Sequence, residues 1–219
     1  MKIYCIGDSH AHFFGGKSRL RNWQKERQYP RWCINRIPIF KALIVGPATA
    51  YNLVKEGSTT QGREKLFATV ERLPKNSRIM LVFGEIDCRL HLLKQARLQE
   101  RSVEDVVNEC VDRYFSVFLE IKDIKYSPIA WHVTPTLDSN HPDFPAFGTW
   151  QERLEVTKMF NARLSKLAEE NTIPVITIFN KLLNEDGTVK GEYFQDAIHL
   201  NQLAMPYVLE EVQRYYGTN

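Results

Sequence analysis

The stretch Met1-Lys2-Ile3-Tyr4-Cys5-Ile6-Gly7-Asp8-Ser9-His10 opens the chain and sets the question of the fold. Residues 2–6 form a short apolar run with β-strand character. The run stops at a glycine, and three residues capable of proton or metal chemistry follow at once. Three readings fit a strand that ends this way. Ser9 is a nucleophile on a strand-end turn, Asp8 and His10 ligate a metal as a D-x-H pair, or the segment is a polar loop.

Four further apolar runs repeat the first at intervals of about 40 to 50 residues: FKALIVG (40–46), RIMLVFG (78–84), PIAWHV (128–133) and PVITIF (174–179). They are nearly continuous instead of alternating, as expected of strands covered on both faces. Between them lie helical patterns. Ser102 with Asp105 three residues on can cap a helix whose apolar stripe runs through Val106, Cys110, Tyr114, Val117 and Ile121. Thr149 and Glu152 form a capping-box signature before Leu154, Phe160, Leu164 and Leu167. A shorter helix is expected over about residues 62–72, before Pro74, and a last one starting near Pro206. Alternating strands and helices predict an α/β chain. Its expected form is a three-layer α/β/α sandwich, flavodoxin-like, with about five parallel strands in a single domain over residues 1–219.

In such a fold the ligand site lies beyond the carboxyl ends of the strands. Polar residues gather there: Asp8, Ser9 and His10 after the first run, and Gly46 and Thr49 after the second. Glu85, Asp87, Arg89 and His91 follow the third. The segment TPTLDSNHPDFPAFGTW (134–150) follows the fourth, and FQDAIHLN (194–201) lies after the fifth. A serine hydroxyl is a weak nucleophile until a base removes its proton, and a third group orients that base. Asp196 and His199 supply such a base and orienter, three residues apart. Ser9 and His199, from opposite ends of the chain, are expected to meet at one rim.

With these blocks in view, the sequence resembles the SGNH (GDSL-type) hydrolase superfamily. Gly7-Asp8-Ser9 matches the block that holds the nucleophile, and Gly46 sits where the second block places an oxyanion-hole glycine. Glu85-Ile86-Asp87 after Gly84 stands where G-x-N-D belongs, and Asp196 to His199 match D-x-x-H. The resemblance implies Ser9 as nucleophile, His199 as base and then acid, and Asp196 as its orienter. It implies backbone N–H groups of Ser9 and Gly46 in the oxyanion hole, and an acyl-enzyme reaction on an ester. It gives Asp8 hydrogen bonds that shape the turn.

The third block departs from the pattern. Ile86 stands at the asparagine position and has no donor to offer an oxyanion, and losing one such donor costs roughly a hundred- to a thousandfold in rate. Arg89 and His91 are the available replacements. Arg89 either stabilises an oxyanion, or meets an anionic group on the substrate, or forms a structural salt bridge to Glu85 or Asp87. In the irregular segment 134–150, which also holds Asp138 and His141, Phe147 and Trp150 are candidates for a substrate wall suited to sugar rings, with a self-packed surface loop as the alternative.

The expected substrate is an acylated small molecule or carbohydrate. Two further readings keep the same pocket: a catalytically impaired domain that binds a sugar or glycan precursor, and an acyltransferase using the same triad. A metallophosphoesterase needs further ligand motifs, and the remaining histidines are isolated, so no metal and no cofactor are expected.

The net charge of +3 does not call for a nucleic-acid partner, and no run of 18 apolar residues calls for a membrane. The stretch from Lys17 to Trp32 carries six basic residues among Trp23, Tyr29 and Trp32. It is read as a surface insertion whose aromatics pack back on the body, with a single-strand-binding face as the alternative. The N-terminus is too short before Gly7 for a secretory signal, and the cysteines form no C-x-x-C pair. A cytoplasmic protein with reduced cysteines is expected.

Overall fold

A computed structural model describes residues 1–17, 29–137 and 142–217. The five apolar runs form parallel strands: β1 (Ile3–Gly7), β3 (Phe40–Ile44), β4 (Arg78–Val82), β5 (Ser127–Trp131) and β6 (Val175–Ile176). A short sixth strand, β2 (Arg31–Trp32), pairs antiparallel with β3 at the edge. The sheet order is β2-β3-β1-β4-β5-β6. Leaving β2 aside, that is the flavodoxin-like order, in which the order of strand addition reverses between β1 and β4.

Side chains alternate across the sheet, yet both faces are apolar, which is why the runs read as continuous. In β4, Ile79 and Leu81 join one core and Met80 and Val82 the other. On the first face lie α1 (Gly62–Val70), α2 (Leu92–Leu98), α3 (Val103–Asp123) and α4 (Trp150–Glu170), contributing Val107, Tyr114, Phe118 and Phe160. On the second lie α5 (Met205–Tyr216) and a 3-10 turn over Ser9–Gly15, with Phe13, Phe14, Val208 and Val212. Each of these side chains is almost wholly buried, which stabilises the fold by about 1.5–3 kcal/mol apiece.

The capping signals act as expected. Ser102 Oγ accepts from Asp105 N at 3.0 Å, and Thr149 with Glu152 makes a reciprocal capping box. Three differences from the sequence reading have local causes. The last strand keeps only Val175–Ile176, because the chain turns at Thr177, whose hydroxyl accepts from Phe179 N and bonds the His132 ring. Helix α2 follows a wide π-type turn over Asp87–His91, and its seven residues are too few for a periodic signature. The extra strand β2 falls inside the basic-aromatic stretch, where Trp32 packs edge-on against Tyr4 at 6.1 Å. Trp23, Asp138 and His141 lie outside the described residues. All four cysteines are buried and free. Among the described residues, no helix is long and apolar enough to cross a membrane.

Candidate active site

β1 pairs with β3 through Gly7↔Ile44 and with β4 through Gly7↔Val82. Ser9 follows Gly7 by two residues, as Gly46 follows Ile44 and Gly84 follows Val82, so all three leave the same end of the sheet. The strand ends come close there. A Cβ at Gly7 would overlap the Val82 carbonyl, and one at Gly84 would sit 2.8 Å from both Phe160 Cζ and Val133 Cγ2. Gly84 also has φ +108°, a conformation that side chains other than glycine's adopt only under strain.

Asp8 caps the turn that carries the serine. Its Oδ1 accepts from His10 N at 2.9 Å, the turn-shaping bond expected of it. Its Oδ2 is buried without a hydrogen-bond partner among the described residues. Burial pushes the carboxyl up to about 7, against the lowering influence of His10.

Ser9 Oγ lies 2.8 Å from His199 Nε2, although 190 residues separate them in sequence. His199 Nδ1 lies 2.9 Å from Asp196 Oδ2 and 3.1 Å from Oδ1. The Asp196 carboxylate also accepts from Ile198 N at 3.0 Å and His199 N at 2.7 Å, so it folds its own loop before it orients the imidazole. The loop is closed at its base, where Gln195 N donates to His199 O at 2.9 Å. Gln202 Nε2 donates to Phe13 O at 2.8 Å and ties the tail to the serine turn.

A carboxylate can only accept, so the proton of a neutral His199 belongs on Nδ1, leaving Nε2 to accept from the serine hydroxyl. Burial holds His199 below the ordinary imidazole value, against the raising effect of Asp196, and so favours the neutral base. Burial also raises the Asp196 carboxyl, but the hydrogen bonds from His199 outweigh it and hold the group below its usual range.

Two rings flank His199 that the sequence did not assign to this role. His10 lies over it with centroids 4.7 Å apart, and Phe144 meets it edge-on at 5.4 Å. The register beside Ser9 was the available signal for His10. Phe144 sits in an irregular segment with no period to place it. Ser9 is 7% and His199 3% exposed, and the void between Ser9, Trp131, Thr134 and Gln195 measures about 10 Å³, room for about one water.

Arg89 takes the structural alternative. Its Nε donates to Glu85 Oε1 at 2.5 Å, Nη2 to Glu85 Oε2 at 3.2 Å, and Nη1 to the Pro145 carbonyl. The pair is buried, and His10 Nε2 approaches Glu85 Oε2 at 3.3 Å. The guanidinium thus holds Glu85 and the Pro145 carbonyl, the structural salt bridge that stood as the alternative to an oxyanion or substrate contact. Asp87 anchors the opposite rim by accepting from Ala50 N at 2.7 Å and Tyr51 N at 3.2 Å, in the turn that follows Gly46.

The remaining expected contacts lie elsewhere. Phe147 packs under Arg97 at 5.1 Å with its N–H on Arg89 O, and Trp150 is half-buried at the first turn of α4. Neither lines the void beside Ser9. His91 lines a different, larger cavity.

No protein-family model matches the sequence, and neither does any curated protein. Solved structures do match. A member of the lipolytic protein G-D-S-L family from Veillonella parvula superposes with a TM-score of 0.56 at 17% identity, over 100% of this chain and 99% of that one. The acetyl xylan esterase AlAXEase gives 0.54 at 12% identity, over 99% and 100%. The OSK domain of Drosophila Oskar gives 0.58 at 16% identity, over 98% and 88%. At such identities the likeness is one of fold. This chain has the α/β fold of the G-D-S-L lipolytic proteins.

Proposed function

We propose that the protein is a serine acylhydrolase that cleaves an ester of a small molecule or carbohydrate through an acyl-enzyme. The observation that carries the proposal is the unbroken chain from Ser9 Oγ to His199 Nε2 at 2.8 Å and from Nδ1 to Asp196 at 2.9 Å. In the first step Ser9 Oγ bonds to the ester carbonyl carbon while its proton passes to His199 Nε2. The charge on the carbonyl oxygen is met by the backbone N–H groups of Ser9 and Gly46. Collapse breaks the ester C–O bond, and the leaving alkoxide takes the proton from His199. Water repeats the sequence on the acyl-serine and releases the acid. The fold shared with an acetyl xylan esterase supports a carbohydrate ester among the substrates.

One observation favours a second reading, a domain that binds its ligand without turnover. Ile86 offers no third donor and Arg89 is engaged with Glu85, so oxyanion stabilisation rests on two N–H groups. A fluorophosphonate probe separates the two readings. Attack by Ser9 Oγ on phosphorus expels fluoride and leaves a covalent label. The hydrolase reading expects the label on Ser9 by mass spectrometry, loss of it in Ser9→Ala, and release of p-nitrophenol from a short-chain ester. A folded protein that takes no label and turns over no ester is the binding module.

A further inference from the structure

A second cavity, about 310 Å³, opens beside the same rim and shares no lining residue with the void at Ser9. Its volume is at the lower end of ligand pockets, which run from about 300 to 1,000 Å³. The wall comes from three places: Thr49, Tyr51 and Asn52 in the turn after β3, His91 and Gln95 at the start of α2, and Val106 with Glu109 on α3.

The charged groups of this wall, Arg101, Glu109 and Asp87, are each already engaged. Arg101 Nη1 donates to Glu109 Oε2 at 2.7 Å and to Gln99 Oε1 at 3.2 Å, and Tyr51 Oη donates to Glu109 Oε1 at 3.0 Å. The Asp87 carboxylate is held by the N–H groups of Ala50 and Tyr51. An anion would find its cation already matched, and a cation would find both carboxylates already bonded. What remains is neutral and rich in hydrogen-bonding groups. Thr49 Oγ1 is buried with no partner among the described residues. Gln95 accepts from Gln99 through Oε1, so among the described residues its amide N–H₂ is left, along with the Asn52 amide and the His91 ring. Leu92, Val106 and the Tyr51 ring add a small apolar surface.

We propose that this cavity binds a neutral polyhydroxylated molecule about the size of one sugar ring. Its hydroxyls meet Thr49, Asn52, His91 and Gln95, and its C–H face meets Tyr51, Leu92 and Val106. A buried hydroxyl such as that of Thr49 is costly until something bonds it, so binding gains what the empty wall lacks. The site does not rest on the hydrolase reading, because no part of it uses Ser9.

The test is a two-dimensional amide NMR titration of the full chain with D-glucose, D-galactose, D-xylose and myo-inositol, and with inorganic phosphate and acetate as anionic probes. At least one neutral probe should give saturable shifts at Thr49, Asn52 and Gln95 with a millimolar Kd, unchanged in Ser9→Ala. Thr49→Val, which keeps shape and removes the hydroxyl, should weaken it about fivefold or more. Gln95→Trp, checked for folding by its amide spectrum, should abolish it by filling the mouth. Saturable shifts from phosphate or acetate but from no neutral probe would overturn the proposal. So would neutral probes that shift nothing, or a Kd that neither variant changes.

Discussion

Glu85→Leu is the perturbation that most directly tests how the third block is built. Glu85 is 4% exposed and faces Arg89 at 2.5 and 3.2 Å and His10 at 3.3 Å. Removing it leaves a buried guanidinium with Pro145 O as its remaining hydrogen-bond partner among the described residues. Breaking one side of a buried pair costs about 3–5 kcal/mol, which at this chain length lowers Tm by roughly 6–20 °C. Arg89→Met should cost less, since His10 still faces the carboxylate. The double variant Glu85→Leu/Arg89→Met should recover part of the loss, because it removes both charges and leaves two apolar side chains in contact. A coupling of about 2 kcal/mol or more is expected in urea denaturation at pH 7.

The pH dependence has a definite sign. Burial raises the Glu85 carboxyl, but His10 and Arg89 outweigh it and hold the group at about 2, below the roughly 4.3 of an unfolded glutamate. Its contribution is therefore complete above about pH 4.3 and is lost as pH falls toward 2, and the double variant should lose that acid-side slope. A single variant within about 0.5 kcal/mol of the parent, or zero coupling, would refute the buried pair. Arg89→Met with intact stability but a hundredfold loss of esterase rate would return Arg89 to the oxyanion.

Two further outcomes follow from the geometry. Because burial holds His199 below the ordinary imidazole value, kcat/KM for ester hydrolysis should stay level through neutral pH and fall on the acid side with an apparent pKa below about 6.5. An acid limb centred above that value would contradict the neutral base. Gly84→Ala combines a φ of +108° with a Cβ only 2.8 Å from Phe160 and Val133, and should destabilise the chain by about 2–4 kcal/mol in urea unfolding. A loss under about 1 kcal/mol would mean that these strand ends relax apart freely.

The layering of the fold was legible in the pattern of residues. Five apolar runs with helical patterns between them admit few arrangements, because strands buried on both faces need helices above and below. Local signals sufficed for the local bonds of Ser102 to Asp105 and Thr149 to Glu152, whereas the turn-shaping role of Asp8 came from the family resemblance. The pairing of Ser9 with His199 could be anticipated only by supposing that both strand ends share one rim.

Contacts between atoms that meet across strands emerged with the folded chain. Arg89 joins Glu85 and Pro145, His10 and Phe144 pack against His199, and Asp87 reaches across to Ala50 and Tyr51. His91 faces a neighbouring cavity. A strand or helix pattern constrains residues a few positions apart. A buried charge instead selects its partner by distance and desolvation, and these exist only after the sheet edge has been assembled.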